Sequence, residues 1–294
     1  LNNFKIIKIY KGSLWKILFT KNIQTGDEYV MKLLRNDFVI DDHTIEYINR
    51  FYIANSLKIP GIVQCFRYRL PISRKQKNNS KIIKKLQYIN ESGQSKYINV
   101  DEPLFCTELI PKGNILSYTN EYLKTKGKNS EMMNPTIRSK IIFGIAAIMK
   151  NVHKRNVIHR FLNISNIFLN ENLEPKIDGF YFPIEHIFEL ESEIMLGIFD
   201  LLFRAPELMS ENYSFPCDVY SYGFILYCLF VGNSFLKNHK KYISRSLIYI
   251  SKNDQLIEKT EMIPDHYWDL IQQCLQIDAN KRPSFEQITN ILMD

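Results

Sequence analysis

The sequence predicts an α+β chain in which strands dominate the first part and helices the second. Three observations carry this. Residues 4–19 (FKIIKIYKGSLWKILF) alternate as two strands around a turn, and residues 28–34 (EYVMKLL) follow as a third. Residues 103–109 (PLFCTEL) return as a strand after a long polar stretch. From Pro135 to Lys154 the apolar residues Ile137, Ile141, Ile145, Ile148, Met149 and Val152 recur at helical spacing.

The remaining elements follow in order. Residues 41–58 pattern as a helix, and 61–70 as a further strand. Pro111, Lys112 and Gly113 form a turn. This turn marks an expected domain boundary, between residues 1–110 and 111–294. Pro135 suits a first helical turn, with Asn134 as its cap. The long helix's stripe is core rather than a cofactor site.

Composition narrows the class. The chain has 294 residues with 45% hydrophobic content, which fits a sizeable core and excludes a disordered chain. No apolar run reaches the ~18 residues of a membrane span. No secretory leader opens the sequence, and it starts at Leu1 rather than Met, which leaves targeting open. Cysteines 65, 106, 217, 228 and 274 are scattered without a CxxC pair, as expected of reduced thiols in an intracellular, cytoplasmic protein. The formal charge is +7. Arg67, Arg69, Arg74, Lys75, Lys77, Lys81, Lys84, Lys85 and Lys96 crowd one stretch, with Glu91 against them. This basic insertion, roughly 71–99, reads first as a solvated loop and second as a surface for acidic partners. It lacks the aromatic interleaving of a base-stacking surface, so nucleic acid is not expected as a partner.

The most informative stretch is Val157 to Phe182, VIHRFLNISNIFLNENLEPKIDGFYF. It resembles the catalytic and magnesium loops of eukaryotic protein kinases, HRDxKxxN and DFG. His159 and Arg160 match, but Phe161 stands at the catalytic Asp position and Asn163 at the loop Lys position. Asn166 matches the metal-binding Asn. At the family's usual spacing DFG becomes Gly179-Phe180-Tyr181, with Asp178 one residue earlier. Neighbouring strand residues face opposite ways, so only one of 178 and 179 faces the site. The match of Phe180 to the Phe of DFG favours Gly179.

The resemblance extends along the chain and implies a bilobal protein-kinase fold. Tyr10-x-Gly12-x-x-Trp15 stands where the family places GxGxxG, with one glycine kept. Val30 and Lys32 match the strand that roofs adenine and reaches the phosphates. Ile59-Pro60-Gly61-Ile62-Val63 is similar to HPNIV, and counting back places Arg50 at the Glu that should anchor Lys32, with Glu46 one turn earlier. Thr107 falls at the gatekeeper position, Glu108, Leu109 and Ile110 at the hinge, and Phe168 at the floor of the adenine slot. His153 matches the His that precedes the catalytic loop and is expected to have no catalytic role. The activation segment, 182–203, holds Ser192, no Thr, and Asp200 before the APE-like RAPEL, 204–208; its Phe199, Leu201, Leu202 and Phe203 are expected to pack as apolar structure or to form a docking patch. Asp218 in CDVYSYG matches the Asp said to cap the buried helix, in wording that leans towards the tyrosine-kinase-like group. Arg282 matches the partner of the APE Glu, here Glu207.

These departures imply a kinase fold with most of its chemistry missing. The resemblance points to a pseudokinase that binds other proteins, with no cofactor required and weak or absent Mg-ATP binding. Two alternatives stay open: a divergent Ser/Thr-type kinase using Asp178, and an ATP sensor without turnover.

Overall fold

The computed structural model describes residues 4–11, 15–34, 58–68, 84–89, 95–100, 104–119, 134–180, 203–210, 214–232 and 257–293. The expected helix at 41–58, with Glu46 and Arg50, lies outside them except for Lys58. So do Gly12 and the activation segment from 181 to 202. The chain divides into two compact units, residues 1–58 with 63–109, and residues 59–62 with 110–294.

The first unit is built on a five-stranded antiparallel sheet in the order β1-β2-β3-β7-β4. β1 is Phe4–Lys11, β2 Trp15–Asn22, β3 Glu28–Leu34, β4 Cys65–Tyr68 and β7 Leu104–Glu108. The period-2 patterning explains its layers. Met31 and Leu33 join Ile6, Leu18 and Cys106 in an apolar cluster, packed further by Phe4, Ile9 and Tyr29. Val30 and Lys32, alternating with them on β3, face the other way. The strand expected over 61–70 is shorter, Cys65–Tyr68; Gly61 takes φ 89°, and Ile62 forms an isolated bridge to Ile177, both residues of the second unit.

The basic insertion is not the loop its charge suggests. It contains an antiparallel hairpin, β5 (Lys84–Ile89) and β6 (Ser95–Val100), paired from Lys84↔Val100 to Ile89↔Ser95. Leu86, Tyr88 and Ile89 on one side, and Tyr97, Ile98 and Val100 on the other, flank a polar stretch that contains Gly93, which is a hairpin signal that outweighs charge density. β5 runs beside β1 without joining its ladder.

The second unit is organised around α2, Pro216–Val231, which is buried from Cys217 to Val231. A helix apolar on all sides belongs at the centre of a core. α1, Pro135–His153, starts as its sequence requires, with Asn134 Oδ1 accepting Thr136 N–H at 2.8 Å and Pro135 in the first turn. Ile141, Ile145, Ile148, Met149 and Val152 are buried as expected, joined by Ile142 and Ala146. Tyr222 Oη on α2 donates to Ile142 O at 3.0 Å, tying the two helices. α3 (Asp265–Cys274) packs on α2, and α4 (Phe285–Ile291) packs on α1. Gly223 permits the α2–α3 approach, since a Cβ there would stand 2.8 Å from Cys274 Cβ. The short strands β8 (Ile167–Leu169) and β9 (Pro175–Ile177) form a separate ribbon.

Glu207 and Arg282 pair as their positions suggest. Arg282 Nη1 lies 2.5 Å from Glu207 Oε1 and Nη2 3.0 Å from Oε2. Three backbone carbonyls, of Pro216, Gln276 and Ile277, take the remaining guanidinium N–H groups. The fork thus joins the 3₁₀ turn Pro206–Ser210 to the start of α2 and the approach to α4. Removing one partner of such a buried pair costs about 3–5 kcal/mol, because the other charge is left buried. Arg282→Ala is expected to lower the urea midpoint accordingly, with Glu207→Gln milder because Gln keeps an acceptor; equal, near-zero losses in equilibrium unfolding would contradict this.

Candidate functional site

The positions singled out in the sequence fall into two sets, one on each unit. On the first unit, Val30 pairs with Thr107 and Lys32 with Phe105 across β3 and β7. Directly paired residues share a face, so these four lie on the side opposite the apolar cluster. Lys32 is buried at 6% exposure and Thr107 at 1%, so the strand lysine is no surface residue. Thr107 Oγ1 donates to Val30 O at 3.4 Å. Glu108 is committed locally: its N–H donates to Gln64 O at 3.0 Å, and its Oε1 accepts Gln64 N–H at 2.9 Å. Tyr10, at the edge of the degenerate glycine loop, is half exposed.

On the second unit, the loop from His159 to Asn166 meets the end of β9. Its backbone is fixed by Asp218. The Asp218 carboxylate has 0% exposure and accepts His159 N–H at 2.8 Å and Arg160 N–H at 2.7 Å. His153 Nε2 lies 2.8 Å from Oδ2, and Cys217 Sγ 3.8 Å from Oδ1. Asp218 was expected to cap α2. It does not: the N-cap is Phe215 with no side-chain bond, and Asp218 sits within the first turn with its oxygens turned to the loop. Arg160 has φ 68°, a left-handed conformation that costs a bulky residue about 1–3 kcal/mol. Charge-assisted bonds from buried N–H groups offset that strain.

Within the loop, side chains replace one another's missing contacts. Phe161 N–H donates to His159 Nδ1 at 3.2 Å, and His159 Nε2 is 2.9 Å from Asp178 O. His159 therefore carries its proton on Nε2, accepting at one nitrogen and donating at the other. Its burial holds its pKa below the usual histidine value. Phe180 is buried and stacks at 4.2 Å between ring centroids on His159. Asn163, at the loop Lys position, is 1% exposed, and its Oδ1 accepts from Ser165 N–H at 2.8 Å and Asn166 N–H at 3.1 Å. This is an Asx turn, which the run Asn-Ile-Ser-Asn could have signalled. Phe168, on β8, is partly buried.

The residues for a divalent ion can be tested in place. Magnesium takes oxygen donors in near-octahedral geometry, usually including a carboxylate. Asn166 spends its Nδ2 on Phe161 O at 2.9 Å, leaving Oδ1 as its single side-chain donor atom. Gly179 supplies none. Asp178 is buried at 4% exposure, with Oδ1 accepting Gly179 N–H at 2.8 Å. Among the described residues no three His, Cys, Asp or Glu side chains gather as a metal site. The Asn166–Gly179 pair does not match the donor set magnesium requires.

Two outcomes follow. Asp218→Ala is expected to cost several kcal/mol, since hydrogen bonds to charged groups contribute about 1.5–3 kcal/mol each; Asp218→Asn should lose part of that, read from chemical unfolding. For His159, the folded state favours the neutral ring while the unfolded state protonates near pH 6.5. Its contribution is therefore complete above pH 6.5 and is lost as pH falls below it. The stability difference between wild type and His159→Gln should shrink over that interval, by at most about 1.4 kcal/mol per pH unit; a difference that grows on acidification would contradict the assignment.

Comparison with known proteins agrees with this geometry. The family model described as "Protein kinase domain" matches residues 5–292. A "Probable serine/threonine-protein kinase" of Dictyostelium discoideum is 28% identical over 294 residues, covering 99% of this chain and 19% of its own. "Fibroblast growth factor receptor 1" of Dugesia japonica is 26% identical over 194 residues, 64% of this chain and 22% of that one. "Protein kinase kin1" of Schizosaccharomyces pombe is 22% identical over 281 residues, 95% of this chain and 29% of that one. The chain thus spans less than a third of each of these relatives. With the five-stranded sheet of the first unit, the buried central helix and the loop it holds, the match over 5–292 establishes that this chain belongs to the protein kinase domain family.

Proposed function

We propose that this kinase-fold domain does not transfer phosphate and acts instead as a protein-binding signalling module. The observation that carries the reading is Phe161. Phosphoryl transfer in this family uses a carboxylate to accept the substrate hydroxyl proton. Here that position is a phenyl side chain, while its backbone N–H and C=O are engaged by His159 and Asn166. The loop keeps its scaffold and lacks the base. General-base assistance is typically worth about 10²–10⁴-fold, and no neighbouring acid in the loop replaces it. The metal position adds a second, coupled loss, so the two factors do not multiply. Partners are proteins, engaged through the apolar activation segment or the basic hairpin insertion, whose charge favours acidic surfaces. The wording around Asp218 favours the tyrosine-kinase-like group.

A second reading is a divergent kinase in which Asp178 serves as the metal carboxylate. Its support is the buried carboxylate beside Asn166 and the kinase names of the relatives. Single-turnover transfer from labelled ATP to generic protein substrates separates the two. No magnesium-dependent transfer is expected from wild type. Transfer that disappears in Asp178→Asn would establish the second reading and overturn the first. Melting with ATP adds the third outcome. A ligand at about 100 times its Kd stabilises by about 2.7 kcal/mol, which moves Tm by several degrees. We expect no shift; a magnesium-independent shift without transfer would make the domain a nucleotide sensor.

A further inference from the structure

We propose that β1, β2, β5 and β6 form a lysine surface that binds an anionic lipid bilayer. The inference goes beyond the protein-binding reading and does not depend on whether the domain transfers phosphate.

The topology brings the charges together. β1 and β2 pair along their length, and β5, with β6 as its hairpin partner, runs beside β1 in the same unit. Together the four strands carry eight lysines and no Asp, Glu or Arg, although the chain as a whole has 31 Asp and Glu. Their register sets like charges against each other: Lys5 pairs with Lys21, and Lys11 with Lys16. Like charges directly opposite on a sheet destabilise it. Folding does not call for this arrangement, whereas a surface that meets negative charge does. Lys5, Lys8 and Lys21 are exposed. Glu28 Oε1 stands 3.9 Å from Lys21 Nζ, and a single surface contact of that length offsets little of the local charge.

Two further observations favour a bilayer over a soluble acidic protein. The first is that the positive charge of these strands is all lysine. An ammonium is a compact, hydrated point charge, whereas a single placed carboxylate or phosphate is recognised best by the planar fork of arginine. Lysines suit negative charge spread over a plane, as on an anionic leaflet. The second is the bulge between Ile6 and Lys8. A bulge re-aims side chains. Here Ile6 stays in the apolar cluster at 3% exposure, while Ile7 is 52% exposed and Tyr10, further along the strand, 53%. An exposed isoleucine and tyrosine among lysines match the headgroup boundary, which admits apolar bodies and keeps ammonium groups at the water side.

The test is co-sedimentation of the full chain with vesicles of phosphatidylcholine, alone or with about one third phosphatidylserine. Binding is expected to the mixed vesicles and not to the neutral ones. It should fall away as salt rises from about 0.1 to 1 M, which shortens the Debye length from about 10 to 3 Å. A lysine near such a surface is worth about five-fold in affinity, so Lys5→Gln with Lys8→Gln should weaken binding roughly 25-fold. Ile7→Ser leaves the charge unchanged and should weaken binding several-fold. Lys112→Gln with Lys281→Gln makes the same charge change at exposed positions of the second unit and should leave binding within about two-fold. Melting checks that the variants fold, and relieving the Lys5–Lys21 pair should not lower Tm. Should the Lys5, Lys8 variant fail to fold, Lys8→Gln alone decides, with a loss of about five-fold expected. The proposal is overturned by failure to sediment with the mixed vesicles at about 0.1 M salt, by equal binding to neutral vesicles, or by equal losses in the two lysine pairs. Tighter binding to polyglutamate than to the mixed vesicles, with Ile7→Ser binding like wild type, would assign the surface to an acidic protein and overturn it too.

Discussion

The second unit depends on one buried carboxylate. Asp218 rises from the first turn of a helix that has no exposed face and holds two consecutive backbone N–H groups, His159 and Arg160, across about sixty residues of sequence. A fully desolvated carboxylate is tolerable only when its lone pairs are filled, and here they are, by two amides, His153 and a thiol. In return, the amides of a loop with a left-handed Arg160 find an acceptor they could not find in water. Helix α2 is thus both core and template. The loop's shape derives from it and not from the side chain at 161.

That dependence explains how the loop keeps its frame with Phe161 where the family carries an Asp. The bonds that shape the loop run between backbone groups and residues whose roles are architectural: Asp218, His159, Asn163 and Asn166. Replacing the proton-accepting Asp by Phe161 breaks none of them, because position 161 contributes its main chain to the network. The Glu207–Arg282 fork works in the same way at the base of α2. Side-chain identity and main-chain bonding fall on different atoms of the same residues, so one can change while the other is kept.

Much of the scaffold was legible because it is local. Strand alternation located β3 and β7, and Asn134-Pro135 with a helical stripe located α1, since these signals repeat every two or 3.6 residues. Glu207 and Arg282 were legible through motif order. What escaped was nonlocal or carried by the backbone. Asp218 looked like a helix cap because its partners are main-chain amides, which leave no trace in side-chain identity. The pairing of 84–89 with 95–100 was hidden by lysines that drew the reading towards a solvated loop, although their Tyr, Ile and Val content was visible. Gly179 appeared in the sequence only as a missing Asp; its φ of 94° is a backbone property that spacing does not express.

The central physical claim is that the loop is held by α2 independently of substrate chemistry. Amide hydrogen exchange at His159 and Arg160, with and without Mg-ATP, addresses it most directly. The account predicts protection comparable to the core of α2 in both conditions, because both amides are bonded to a fully buried acceptor. Exchange at the rate of an exposed loop, or protection that appears only with nucleotide, would contradict it.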